Sequence, residues 1–236
     1  MTAPAREIVQ QLIDIGSPED AAFAQRYFKT GPGQYGEGDR FLGIRAPVMR
    51  KLAKQHQDLS LSGCQALLRS PWHEARLLGV LILARKAERG DDETRAGAYR
   101  VYLENRAWVN NWDIVDVSAP RVVGGHLESH DRSVLRELAL SDSLWDRRIA
   151  ILATQHFIKH GEFEDTFEIA DLLLNDREDL IHKAVGWMLR EVGNRDRAAE
   201  ERFLKKRYAR MPRTMLRYAI EKLPEARRQQ YLRGEV

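Results

Sequence analysis

Trp112 and Asp116 stand four residues apart in Asn110-Asn111-Trp112-Asp113-Ile114-Val115-Asp116. On a helix this spacing sets an indole and a carboxylate one above the other on a single face. An indole wall beside an acid can hold a substrate against a negative charge. The same pair also fits a half-buried Trp next to an exposed acid. A second indole, Trp187, follows Gly186 and precedes Met188-Leu189-Arg190, so that Arg190 brings positive charge to its side about one turn on. Taken alone, Trp187 fits the core equally well. Arg147 and Arg148 add two guanidinium forks of the kind that match phosphate.

Other spacings carry less chemistry. His126/His130 and His156/His160 are both i, i+4 pairs, but neither has the associated Glu of the metalloprotease arrangement, and Gly124-Gly125 weakens the first helix. The reading is therefore no metal. The chain has no Gly-x-Ser-x-Gly elbow. Gly31, Gly33, Gly36 and Gly38 form a glycine-rich loop, but no strand precedes it and no Lys-Ser/Thr ends it, so nucleotide binding fails there. Trp72 and Trp145 stand just inside helix starts and read as packing residues.

The segment carrying Trp112 must be a helix for this geometry to exist. Asn110 or Asn111 supplies an N-cap, Asp113 favours the first-turn dipole, and Val109 with Ile114 would form a hydrophobic staple. Nearly everything else also reads as helix punctuated by caps. Helices are predicted at residues 4–15, from Ser17-Pro18 to about Thr30 with Phe23, Tyr27 and Phe28, from Pro47, from Ser62, and from Ser70-Pro71. Further helices follow at about 92–104, 111–122, 132–140, 143–159, 163–174, 177–192, 196–209, 213–222 and 225–232. Val, Ile and Tyr never alternate for long, which argues against a sheet.

Small residues at Gly79, Ala150, Gly186 and Ala219 recur in related helices with gaps of 71, 36 and 33 residues. The first gap is two periods, with the Trp112 helix in the missing slot. Helix pairs at a period near 35 mark an α-solenoid of HEAT-like repeats, whose second helices line a concave face. The expected fold is thus all-α, a curved single domain over residues 1–236. It places Trp112, Asp116, Arg147, Arg148 and Trp187 on successive inner helices.

The chain has 236 residues, 43% hydrophobic and 31% charged, the profile of a soluble globular protein. It shows no apolar run near the roughly 18 residues of a membrane span and no signal-peptide core, so the expectation is cytoplasmic, with no membrane partner. The single Cys64 excludes an internal disulfide. Net charge is +3, yet residues 1–182 carry 23 basic against 28 acidic side chains and residues 183–236 carry 15 against 7. Arg outnumbers Lys by 29 to 9. A basic, Arg-dominated end on a mildly acidic body points to a polyanion partner, although Arg richness can also be a genome-wide bias.

Four segments together carry a resemblance. They are Asn110 to Asp116, Leu144-Trp145-Asp146-Arg147-Arg148-Ile149-Ala150-Ile151, Lys183-Ala184-Val185-Gly186-Trp187-Met188-Leu189-Arg190-Glu191, and Met211-Pro212-Arg213-Thr214-Met215-Leu216-Arg217-Tyr218-Ala219. In this order, with Tyr35-Gly36-Glu37-Gly38-Asp39-Arg40-Phe41-Leu42-Gly43-Ile44-Arg45 ahead of them, the chain resembles the bacterial DNA alkylation repair family, the helical-repeat alkylpurine DNA glycosylases.

The resemblance implies a monofunctional glycosylase removing N3- and N7-alkylated purines from double-stranded DNA. It needs no cofactor and grips the duplex backbone instead of swallowing the base. It maps the active-site carboxylate onto Asp116, the aromatic walls onto Trp112 and Trp187, and a phosphate contact onto Arg148. Arg147, Arg190 and the basic helices after Asp196 would hold further phosphates, and Tyr27 with the glycine loop would meet DNA elsewhere. The physical logic agrees, because an alkylated purine is already cationic and leaves without a strong general acid. No lone Lys accompanies the motif, so no strand-cleaving lyase step is expected. A solenoid of this kind has no need to dimerise, so the expectation is a monomer. Two rival classes stay open: a non-catalytic DNA-structure binder on the same fold, and a helical-repeat scaffold for protein partners.

Overall fold

The computed structural model describes residues 2–236, and among them every regular element is helical. The one extended pairing is an isolated bridge between Arg40 and Trp72. No helix among the described residues is long and apolar enough to cross a membrane. The fold is an all-α arrangement of stacked helical repeats, and its contacts divide the chain at His126/Leu127 into two compact units.

The first unit contains α1 (Ala3–Asp14), α2 (Pro18–Tyr27), α3 (Ala46–Gln55), α4 (Leu61–Leu68), α5 (His73–Arg89), α6 (Asp92–Glu104) and α7 (Trp112–Ala119). A π-helical turn at Pro120–Gly124 then leads into the short α8 (Gly125–Leu127). Helix α5 is the spine, with α3, α4, α6 and α7 all packed on it. Every residue from His73 to Ala84 is buried. Most of that stretch is apolar, as a helix surrounded on all sides requires. The exceptions are His73, Glu74 and Arg76 at its start.

The second unit contains α9 (Ser133–Ala139), α10 (Leu144–Ala153), α11 (Gln155–Lys159), α12 (Glu164–Leu172), α13 (Asp179–Gly193), α14 (Arg197–Lys205), α15 (Arg213–Ala219) and α16 (Glu225–Arg233). Here α13 is the spine and takes α10, α12, α14 and α15 on its sides. The recurring small residues have a packing reason. A Cβ on Gly186 would come within 2.4 Å of the Met215 carbonyl oxygen and 2.5 Å of Tyr218 Cβ, so α13 and α15 touch almost backbone to backbone. Gly79 lets α5 approach α4, where a Cβ would stand 3.3 Å from the Cys64 carbonyl, and Ala150 and Ala219 are buried.

Helix starts follow local capping chemistry. Ser17, Ser60, Asp91, Ser143 and Asp196 each accept a hydrogen bond from the backbone N–H three residues on. Several expected boundaries shift. The first helix ends at Asp14 and leaves Ile15 exposed, and α2 stops at Tyr27 with Phe28 as its C-cap. The stretch 143–159 is broken at Thr154, whose hydroxyl bonds back to the Ile151 carbonyl at 2.7 Å. The helix predicted over 111–122 becomes π-helical at Pro120, which lacks the N–H needed to continue the α pattern. Ser70 does not cap α5; its hydroxyl takes the Trp72 N–H at 3.3 Å, and Trp72 occupies the cap position.

Candidate active site

Helix α7 is entered through Asn111. Its side-chain oxygen accepts the Trp112 N–H at 2.9 Å, while its amide nitrogen donates to Asp39 Oδ2 at 3.1 Å. With Asn111 as the cap, Val109 and Ile114 are both fully buried but fall out of staple register. Asp113 in the first turn takes the Ile114 N–H at 2.9 Å. The start of α7 is thereby tied to a polar network buried in the first unit.

At the centre of that network lies His73, the first residue of α5. Its Nδ1 stands 2.8 Å from Asp39 Oδ2 and its Nε2 2.9 Å from Asp113 Oδ2. Both ring nitrogens face carboxylate oxygens, which can only accept, so the imidazole is doubly protonated. Burial works against that charge, but the Asp113 and Asp39 carboxylates outweigh it and raise His73 to about 9. Burial likewise works against the Asp39 anion. Its hydrogen bond and charge pairing with His73, together with Arg76, prevail and lower it to about 2. Asp39 Oδ1 accepts from Arg76 Nη2 at 2.6 Å and from the Arg40 backbone N–H at 2.9 Å.

A second buried acid, Glu74, accepts the backbone N–H groups of Leu42 (2.8 Å), Gly43 (2.8 Å) and Ile44 (3.2 Å). This strap needs glycine at 43. Its φ is +80°, and a Cβ there would lie 2.2 Å from the Ser17 carbonyl oxygen. The segment from Asp39 to Ile44 is therefore locked between α5 and α2, and it carries Phe41 into the aromatic cluster.

Trp112 belongs to that cluster. Phe28 stacks on it with ring centroids 5.2 Å apart, and Tyr27 meets it edge-on at 6.1 Å. Phe28 continues onto Phe41 at 4.9 Å, and Phe41 onto His73 at 4.2 Å. The Trp112 indole N–H donates to the Tyr35 hydroxyl at 3.3 Å, so the glycine loop delivers a phenol to the proposed wall. Of the residues singled out from sequence, Tyr27 and Trp112 are in contact, and Asp116 lies one turn along α7, half-buried like Trp112. Tyr27 is 56% exposed and stacks with the equally exposed Phe23. A cavity of about 410 Å³ opens beside Phe23, Tyr27, Phe28 and Phe41, and neither Trp112 nor Asp116 is in its wall.

In the second unit Trp187 is half-buried on α13, and its indole N–H donates to Glu191 at 3.1 Å. Arg147 reaches Asp176 Oδ2 at 2.6 Å and the carbonyls of Ser141 (3.0 Å) and Asp142 (2.8 Å), bracing α10 against the turn before α13. Arg148 is 4% exposed and donates to the Leu180 carbonyl at 2.5 Å. Arg190 pairs with Glu221. All three guanidinium groups thus have partners within the unit. By contrast Lys205, Lys206, Arg210 and Arg217 are exposed and carry no ion pair among the described residues.

Sequence reasoning missed Asp39, His73, Glu74 and Arg76. Asp39 sits within the Tyr35–Arg45 motif, and the run of charged types at His73-Glu74-x-Arg76 at the start of an otherwise apolar helix was the available signal.

No curated protein matches the chain. A solved structure of a predicted DNA alkylation repair enzyme from Enterococcus faecalis shares its fold with a TM-score of 0.68 at 18% identity, covering 89% of this chain and 97% of the other. The family model of the DNA alkylation repair enzymes matches residues 8–223, nearly the whole length. The chain belongs to the DNA alkylation repair enzyme family.

Proposed function

We propose that the protein is a monofunctional DNA glycosylase that hydrolyses the N-glycosidic bond of N3- and N7-alkylated purines in duplex DNA. The observation carrying this reading is the way α7 is held. Trp112 and Asp116 project from a helix whose N-terminus is fixed by the Asn111–Asp39–His73–Asp113 hydrogen bonds and whose indole is stacked on Phe28. A site locked by packing and by supporting hydrogen bonds is what charge stabilisation in a transition state requires.

In the proposed reaction the bond from C1′ to the purine nitrogen breaks, and its electron pair neutralises the positive charge on the alkylated base. Positive charge then accumulates on the deoxyribose. The Asp116 carboxylate stabilises it, and water adds to C1′, giving up its proton to Asp116 or solvent. The indole face of Trp112 favours the cationic sugar and base by roughly 1–2 kcal/mol when desolvated, and the Trp187 indole has the same capacity. No amine nucleophile is assigned, so the product is an intact abasic strand.

Phosphate contacts supply grip and salt dependence, not sequence preference. Lys205, Lys206, Arg210 and Arg217 are ready for that role without surrendering an ion pair to any described residue, whereas Arg190 must leave Glu221 to take it. Arg147 and Arg148 contribute by shaping the second unit as well as by charge.

The test is base release from duplex DNA carrying 7-methylguanine, for wild type and Asp116→Asn, against heat-only controls. The expected outcome is release well above the control that falls by at least a hundredfold in the variant. Tight, salt-sensitive duplex binding with no release from 7-methylguanine or 3-methyladenine would replace the glycosylase with a DNA-structure binder.

A further inference from the structure

The His156/His160 pair lacks a third ligand in the local sequence, but the fold supplies one. Glu128, in the turn after α8, is brought against α11, so that donor atoms of Glu128, His156 and His160 all lie within 4.8 Å of one another. His156 Nε2 is 3.4 Å from Glu128 Oε2, and His160 Nδ1 is 4.0 Å from Glu128 Oε1. Ligands about 2.1 Å from a tetrahedral ion are separated by roughly 3.4 Å, so the first pair stands at the spacing of two ligands and the second needs only a small side-chain rotation. The imidazole rings are tilted by 57° with centroids 4.7 Å apart. His156 Nε2 is buried and meets Glu128 without hydrogen-bond geometry, so this nitrogen is open to another partner.

The surroundings hold the three residues in place. Arg132 donates to the carbonyls of Leu127 (3.3 Å) and Glu128 (3.5 Å), and its guanidinium lies over the Phe157 ring at 3.8 Å. It thus clamps the Glu128 turn onto α11. Its own charge is balanced by Glu162 and Asp165 at 2.8 and 2.7 Å, so it does not oppose a cation nearby. Lys159 is a neighbouring positive charge that does, and it is exposed.

We propose that Glu128, His156 and His160 form a binding site for a divalent transition metal of the Zn²⁺ class. Two imidazole nitrogens and one carboxylate suit zinc, and the exposure of Glu128 and His160 leaves the fourth position to water. The ion ties the turn after α8 to α11 and lies within the second unit.

The full chain, stripped of metal by a chelator, should be titrated calorimetrically with Zn²⁺, and with Co²⁺ while recording its visible absorption. Saturable one-to-one binding is expected, with the Co²⁺ bands of a nitrogen- and oxygen-ligated site. The variants His160→Gln and Glu128→Gln alter exposed side chains and should each weaken Zn²⁺ at least tenfold, whereas His56→Gln, on α3's C-cap, should not. Absence of saturable binding in the wild type, or binding that survives both variants unchanged, would overturn the proposal.

Discussion

Asp39→Ala removes the acceptor on which the first unit's polar network converges. The carboxylate takes four hydrogen bonds: from His73 at 2.8 Å, Arg76 at 2.6 Å, Asn111 at 3.1 Å and its neighbour Arg40 at 2.9 Å. Without it Arg76 keeps the Ser70 carbonyl at 3.2 Å, but its Nε has no partner even in the intact protein, so a buried guanidinium is left largely uncompensated. His73 escapes more easily, because it can keep Asp113 or release its proton. Breaking a buried ion pair from one side costs about 3–5 kcal/mol. In a protein of this size that lowers Tm by roughly 10 °C. The comparison is Asp113→Ala, whose carboxylate is more exposed and bonds only His73 and its own helix start; its loss should be about half as large. Urea denaturation of both variants at pH 6 measures the difference. Base release well below Tm should also fall for Asp39→Ala, since Asn111 loses its anchor and α7 its fixed entry. A stability loss under about 1 kcal/mol would mean the network behaves as a solvated one, and the positioning argument would fail.

Further outcomes follow from the same groups. His73 sits at about 9 in the folded chain against an ordinary 6.5, so its stabilisation is complete below pH 6.5 and is lost as pH rises to 9; denaturation midpoints should decline across that window, and His73→Gln should flatten the decline. Glu200 is buried between Gly193 and Glu201, and burial first, then the Glu201 charge, raises it to about 8 from 4.5. Stability therefore drains away as pH climbs from 4.5 to 8, and Glu200→Gln should match wild type near pH 5 and exceed its Tm above pH 8. Gly186→Ala forces a methyl into the Met215 carbonyl and Tyr218, with a cost of about 1–3 kcal/mol by chemical denaturation. It should also slow base release through displacement of the adjacent Trp187, and unchanged melting would show that α13 and α15 can part freely.

What the sequence determined by itself is the local part. Capping serines and acids, first-turn prolines and apolar stripes set most of the helices, because those signals act within a turn or two of the chain. The same short range places Trp112 and Asp116 on one face, and the recurring small residues mark where helices touch. The resemblance to the family was legible for a related reason, since the segments that carry it are contiguous stretches. Packing decided the rest. His73 finds Asp39 34 residues away and Asp113 40 residues away, Tyr35 reaches the Trp112 indole across 77, and Glu128 joins a histidine pair more than two helices later. Arg147 offers a guanidinium fork in sequence, and the fold gives it Asp176 as a partner. A polar side chain advertises its type in sequence but not its partner, and a buried charge is defined by its partner, which only the packed chain can supply.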